Sequence, residues 1–163
     1  MEAMSGCFKR RKQMRIIRVF IYLAAVLLFT AAAAKLISSL GNAGFLEKDD
    51  PLFHVTYRNL FWIVGTLELG ISLSCVLLKR VLLRLGLIAW ISTSFLVYRA
   101  SMSWVGYKRP CPCLGSLTSS LHIPAQAADV AMKVILVYLL LGSYIALFWI
   151  LQHRKRMSVP EVI

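Results

Sequence analysis

Four runs of apolar residues constrain this chain more than any other feature, each long enough to cross the roughly 30 Å hydrocarbon core of a bilayer. They cover about residues 16–40, 60–78, 81–104 and 128–151. In lipid no water is present to take backbone N–H and C=O groups, so a segment of this kind spans only as a helix. With 59% hydrophobic residues and a mean hydropathy of +0.71 over 163 residues, no stretch remains for a separate soluble domain. The expected fold is all-α: an integral membrane antiparallel four-helix bundle over residues 16–152, in contact with the lipid bilayer, with basic tails at 1–15 and 153–163.

The basic residues give this bundle a direction. Lys9, Arg10, Arg11, Lys12, Arg15 and Arg18 lie before or just inside the first segment. Lys79, Arg80 and Arg84 lie between the second and third, and Arg154, Lys155 and Arg156 follow the fourth. In an up-and-down bundle all three groups fall at one end, and the positive-inside rule makes that end cytoplasmic. Both termini are therefore expected in the cytoplasm of a cell (inner) membrane, with residues 41–59 and 105–127 on the extracytoplasmic side. The net charge of +12 is mostly this topological signal, so nucleic-acid binding is not indicated. The basic start followed by apolar residues is like a signal peptide, and Ala31–Ala34 imitates a cleavage site. The first segment nevertheless continues to Leu40 and completes an even helix count, so a retained anchor is expected.

Between the third and fourth segments the chain reads Arg109-Pro110-Cys111-Pro112-Cys113-Leu114-Gly115, the only closely spaced pair of cysteines. A disulfide needs Cα atoms within about 7 Å, and Pro110 and Pro112 restrict the residues before them to extended or turn conformations. A bond between Cys111 and Cys113 would be strained, and strained disulfides are the labile ones that suit exchange. Three readings stay open: a redox couple, half of a soft-metal site, or two incidental thiols. His54, His122 and Met102 share that side and could complete a Cu(I) site, but no helical histidine spacing supports one, and no metal is expected. Cys7 reads as an ordinary cytoplasmic thiol, and Cys75 falls within the second segment.

Ionisable residues inside apolar helices are costly, face the bundle interior and pair there. Here they are Lys35 in the first segment, Glu68 in the second, Arg99 in the third, and Asp129 with Lys133 at the start of the fourth. Asp129 and Lys133, four apart, can pair on one helix, leaving Glu68 as the partner of Lys35 or Arg99; Lys35 is the one expected to face it, across the first two helices in the outer half of the bundle. All five lie beneath the Cys111–Cys113 loop or near the membrane middle. Gly65, Gly70 and Gly86, with Ser92, Thr93 and Ser94, read as small-residue packing positions.

Three elements together resemble a family: Ala-Ala-Lys35-Leu late in the first helix, Gly-Thr-Leu-Glu68-Leu-Gly in the second, and Cys111-Pro-Cys113-Leu-Gly115-Ser after the third. They look like the MauE-type (methylamine utilisation) branch of the DoxX-like four-helix membrane proteins, over roughly residues 16–151. The loop departs from that family's usual Cys-Gly-Cys-Phe-Gly at Pro112 and Leu114. The resemblance implies thiol–disulfide chemistry outside the cytoplasm beside a thioredoxin-like partner, in maturation of a disulfide-rich protein. Lys35, Arg99, Lys108 and Arg109 would favour the attacking thiolate. The expectation is a redox component exchanging through Cys111 and Cys113, with a quinone held among the helices as a candidate acceptor. The alternatives are a non-catalytic membrane assembly or docking factor, and a metal-handling or transporter subunit.

Overall fold

The computed structural model describes residues 2–41, 44, 46–50, 52–106 and 125–157. Within them are four helices: α1 (Glu2–Leu40), α2 (Tyr57–Leu77), α3 (Val81–Trp104) and α4 (Ala125–Met157). All four contain stretches long and apolar enough to cross a membrane, and the described residues form an all-α, four-helix, multi-pass membrane protein. The helices exceed the apolar runs at several ends. At 1.5 Å per residue the 39-residue α1 is about 58 Å long, so its first turns extend past the spanning stretch, which begins at Lys12. Likewise α2 starts three residues before the apolar run at Leu60, and α4 carries its basic end on to Met157 as helix.

Each helix is apolar on every side, yet each turns one stripe inward. On α1 the buried residues include Ile17, Ile21, Ala24, Ala25, Leu28, Ala32, Lys35 and Ser39, a 3.6-residue rhythm. On α2 they are Tyr57, Phe61, Gly65, Glu68, Ile71, Ser72 and Cys75. The opposite faces, such as Ile16, Val19, Leu23 and Val26 on α1, are exposed. In water that face would be an interaction or aggregation patch; in a bilayer it meets acyl chains.

The bundle is built from two hairpins, α1 packed mainly on α2 and α3 mainly on α4. Ser72 Oγ donates to the Ala25 carbonyl at 2.8 Å, tying α1 to α2. Three residues, Leu78 to Arg80, join the hairpins, with Leu78 and Arg80 extended, and Arg84 Nη2 reaches back to the Val76 carbonyl at 3.4 Å, where the end of α2 leaves carbonyls without helical partners. The 41–56 connection folds over the other end. Asp49 bridges Thr56, the Asp50 N–H donates to the Val55 carbonyl at 2.9 Å, and Leu46 packs on Tyr57 and Phe61.

Of the three glycines read as packing positions, one behaves so. A Cβ at Gly65 would meet Leu36 Cγ at 3.0 Å, whereas Gly70 and Gly86 have open space where a Cβ would stand. The tightest place is Gly142 on α4, absent from the sequence reading, where a Cβ would run into the Phe20 ring of α1. Phe20 also packs on Tyr138 at a ring separation of 5.4 Å, so it has little room to yield. Gly142→Leu is accordingly expected to destabilise by about 1–3 kcal/mol through overpacking, whereas Gly70→Ala should be neutral or stabilise by up to about 1 kcal/mol. Thermal unfolding of the purified variants in one detergent measures both; equal effects would mean that the α1–α4 contact is looser than the geometry indicates.

Candidate functional site

The polar residues collect toward the end of the bundle that carries the α1–α2 and α3–α4 connections. Lys35 is five residues from the end of α1, and Arg99 is five from the end of α3. Lys35 occupies the inward stripe of α1 one turn beyond Ala32, and Glu68 occupies that of α2 one turn beyond Gly65, where the missing side chain lets the two helices approach. Lys35 Nζ consequently lies 2.8 Å from both Oε1 and Oε2 of Glu68, a fork with both side chains almost wholly buried. The ammonium also sits over the Phe95 ring of α3, 5.7 Å from its centroid, within the range of a cation–π contact. Of the two partners weighed for Glu68, the structure takes Lys35, the one expected across the first two helices.

Arg99 is committed elsewhere. Its Nη2 donates to Asp129 Oδ1 at 2.6 Å, while Lys133 Nζ holds Asp129 Oδ2 at 2.7 Å from the same helix. Asp129 thereby links α3 to α4 instead of serving Lys133 alone. Lys133 is mostly exposed and adds little; the Arg99–Asp129 contact, four-fifths buried, is the structural one. Arg99 Nη1 is buried and has no hydrogen-bond partner among the described residues.

Sequence reasoning passed over Asp50. It is completely buried in the α1–α2 connection. Its Oδ1 accepts the N–H groups of Leu52 and Phe53 at 2.8 and 3.1 Å, and its Oδ2 accepts the Tyr98 hydroxyl at 2.5 Å. Phe53 stacks on the Tyr98 ring with centroids 6.1 Å apart and planes within 6°. The connection between two helices of one hairpin is thus fastened to the other hairpin. A signal was present in the sequence, since Asp before Pro is a turn starter whose carboxylate accepts nearby backbone N–H groups; the Tyr98 contact had none.

Cys111 and Cys113, with Lys108, Arg109 and His122, lie outside the described residues. Met102 is buried in α3 and His54 is in the α1–α2 connection with a positive φ of 53°. No group of three or more His, Cys, Asp or Glu is gathered among the described residues. Cys75 is buried and unbonded, 18 residues along α2 from Tyr57, or about 27 Å at the helical rise.

Between the hairpins lies a cavity of about 640 Å³, lined by residues of all four helices and by Phe53 and Val55 of the α1–α2 connection. Fold and site together define a class, a multi-pass protein of two helical hairpins with a buried ion pair beside an apolar chamber. No family model matches the chain, and no curated protein or solved structure is significantly similar to it.

Proposed function

We propose that this chain is a membrane component of thiol–disulfide exchange, in which Cys111 and Cys113 exchange with a thioredoxin-like partner during protein maturation. The observation that carries this reading is the spacing of the pair: Cys111 and Cys113 stand one residue apart in the sequence after α3, while Cys75 is buried within α2. The resemblance to MauE-type proteins in the Lys35, Glu68 and Cys111–Cys113 elements supports the same chemistry. The basic residues support the orientation. Lys12, Arg15 and Arg18 of α1 and Lys79 and Arg80 before α3 belong to one end of the bundle, which the positive-inside rule makes cytoplasmic, leaving the thiols outside in an oxidising compartment.

In the exchange, a thiolate from one of the two cysteines attacks a sulfur of the partner's disulfide, forming a mixed disulfide and releasing one partner thiolate. The second cysteine then attacks the chain's own sulfur in that bond and expels the other partner thiolate. Two electrons pass from this chain's dithiol to the partner, and the reverse sequence oxidises the partner. The test is the pair Cys111→Ser and Cys113→Ser, solubilised under alkylating conditions and separated without reductant. Loss of the resolving thiol should leave a higher-mass adduct that reductant removes. If neither variant traps an adduct and the double variant retains full function in its host, the exchange reading fails. The second reading, a non-catalytic assembly or docking factor, is favoured by Pro112, which stiffens the backbone between the thiols.

A further inference from the structure

The chamber between the hairpins occupies one half of the bundle. Toward the end that carries the Leu78–Arg80 link, all four helices pack together in a core that includes Ile21, Ala25, Ile71, Leu85, Ile88 and Ala146. Leu28, Ile91 and Leu139 belong both to that core and to the chamber lining, so they mark its inner limit. From that level the lining runs along α1 to Lys35, along α3 to Arg99 and along α4 back to Met132. At 1.5 Å per residue these stretches are about 12 Å long, and the α2 stretch from Glu68 to Tyr57 is about 16 Å. The hydrocarbon of one leaflet is about 15 Å deep, half of the roughly 30 Å core. The chamber therefore spans a single leaflet, on the side of the α1–α2 connection. Its volume of about 640 Å³ is in the range that encloses a small organic molecule, roughly 300–1,000 Å³. A lining of hydrocarbon around such a space lacks dispersion partners unless something apolar fills it. Ile63 and Leu67 line the chamber and are exposed, so it communicates with the outside of the bundle.

The charged groups at this end suit the head of a lipid. Lys35 and Glu68 neutralise each other within the lining. Beyond them Asp129 is shared between Arg99 and Lys133, two cations to one carboxylate, so the α3–α4 side keeps a positive charge. The acids Glu47, Asp49 and Asp50 lie on the α1–α2 connection, next to Lys48 and Arg58. Glu47 and Asp49 are exposed, and Asp50 spends its oxygens on Leu52, Phe53 and Tyr98. An anionic head is matched on the α3–α4 side, and Arg and Lys give a phosphate charge-assisted hydrogen bonds. The space beneath that head has the depth and the polarity of one hydrocarbon chain.

We propose that the chamber holds one acyl chain of a phospholipid from the leaflet on this side, with the phosphate at Arg99 and Lys133 and the chain running down to Leu28 and Leu139. The inference goes beyond the thiol reading and does not depend on it, since none of the lining residues is a cysteine. Each hairpin packs mainly within itself, so the chain joins the two, and binding should raise the unfolding temperature.

The test uses the full chain, delipidated in detergent and titrated with dioleoyl phosphatidylglycerol, with bound lipid counted by native mass spectrometry. One lipid per chain should bind ahead of the rest. Ala31→Phe on α1 and Leu136→Trp on α4 fill the chamber from opposite hairpins without touching an ion pair, and each should weaken that first binding about tenfold. Val137→Trp, at an exposed position on α4 outside the lining, should leave it unchanged. Lys133→Gln keeps the Arg99–Asp129 contact and should weaken binding about fivefold, the worth of one basic residue beside an anionic headgroup. Dioleoylglycerol, which has the same chains and no phosphate, should bind less tightly. A phosphatidylglycerol with a photoreactive diazirine near the end of one chain locates that chain without any substitution, and it should label Leu28, Ile91 or Leu139. The proposal is overturned if no lipid binds ahead of the rest, if both filling variants bind it as the natural chain does, or if dioleoylglycerol binds equally well. It is also overturned if the label falls on outward residues such as Val26 and Val137, or if the chain extracted from its membrane carries a quinone that phosphatidylglycerol cannot displace.

Discussion

Glu68→Leu will leave the Lys35 ammonium buried and without its counter-ion, and a loss of about 3–5 kcal/mol is expected, as when one partner of a buried pair is removed. Both side chains are almost wholly buried and both carboxylate oxygens are used, so little solvent is at hand to relieve the stranded charge. Lys35→Met should cost a similar amount for the mirror reason, stranding the carboxylate. The combination of Lys35→Met with Glu68→Leu removes both charges and fills the space with hydrocarbon. Replacing a buried pair in this way is often neutral or stabilising, so the double variant should recover most of the abundance and thermal stability that each single variant loses. Membrane abundance and unfolding temperature in a fixed detergent read the cycle. Single losses that simply add in the double variant would show that the two residues do not interact.

The next largest effect is expected at Asp50. Alanine there deprives three donors of their acceptor at once, the Leu52 and Phe53 N–H groups and the Tyr98 hydroxyl. Each buried donor left unsatisfied costs about 1–3 kcal/mol, and partial rehydration of the connection makes a total of about 3–4 kcal/mol the expected loss. Tyr98→Phe removes one bond, keeps the ring stacked on Phe53 and should cost about 1 kcal/mol. Asp50→Asn retains a carbonyl oxygen for the backbone donors and should fall between them. Denaturant unfolding ranks the three. If Asp50→Ala is no worse than Tyr98→Phe, the carboxylate is not what holds the 46–57 connection against α3.

These two sites differ in how far they could be read beforehand. Lys35 and Glu68 stand out in any linear scan, because an ionisable residue in an apolar run must find a partner within the bundle. Their pairing was legible as well, since they sit on consecutive helices; what was not is the partner of Arg99, which α4 supplies by placing Asp129 2.6 Å from it. Asp50 lies in a polar stretch where acidic residues are ordinary, and its importance comes from burial beneath a tyrosine 48 positions away. Gly70 and Gly86 read like Gly65 in sequence, yet only Gly65 meets a neighbouring helix, since a small residue matters only on the face that turns inward.

What the sequence by itself determined is what the bilayer dictates: four helices, their approximate ends, their alternation in direction, and the need for the intramembrane charges to be satisfied internally. Lipid tolerates no unpaired backbone and few unpaired charges, so these properties follow from length and composition alone. The rotation of each helix about its axis had to come from the tertiary structure. A helix that is apolar all round has no amphipathic stripe to mark its inner face, and in lipid the choice falls to close contacts such as Gly65 on Leu36 and Gly142 on Phe20. Those rotations decided that Lys35 meets Glu68, that Arg99 meets Asp129, and that an apolar cavity lies between the two hairpins.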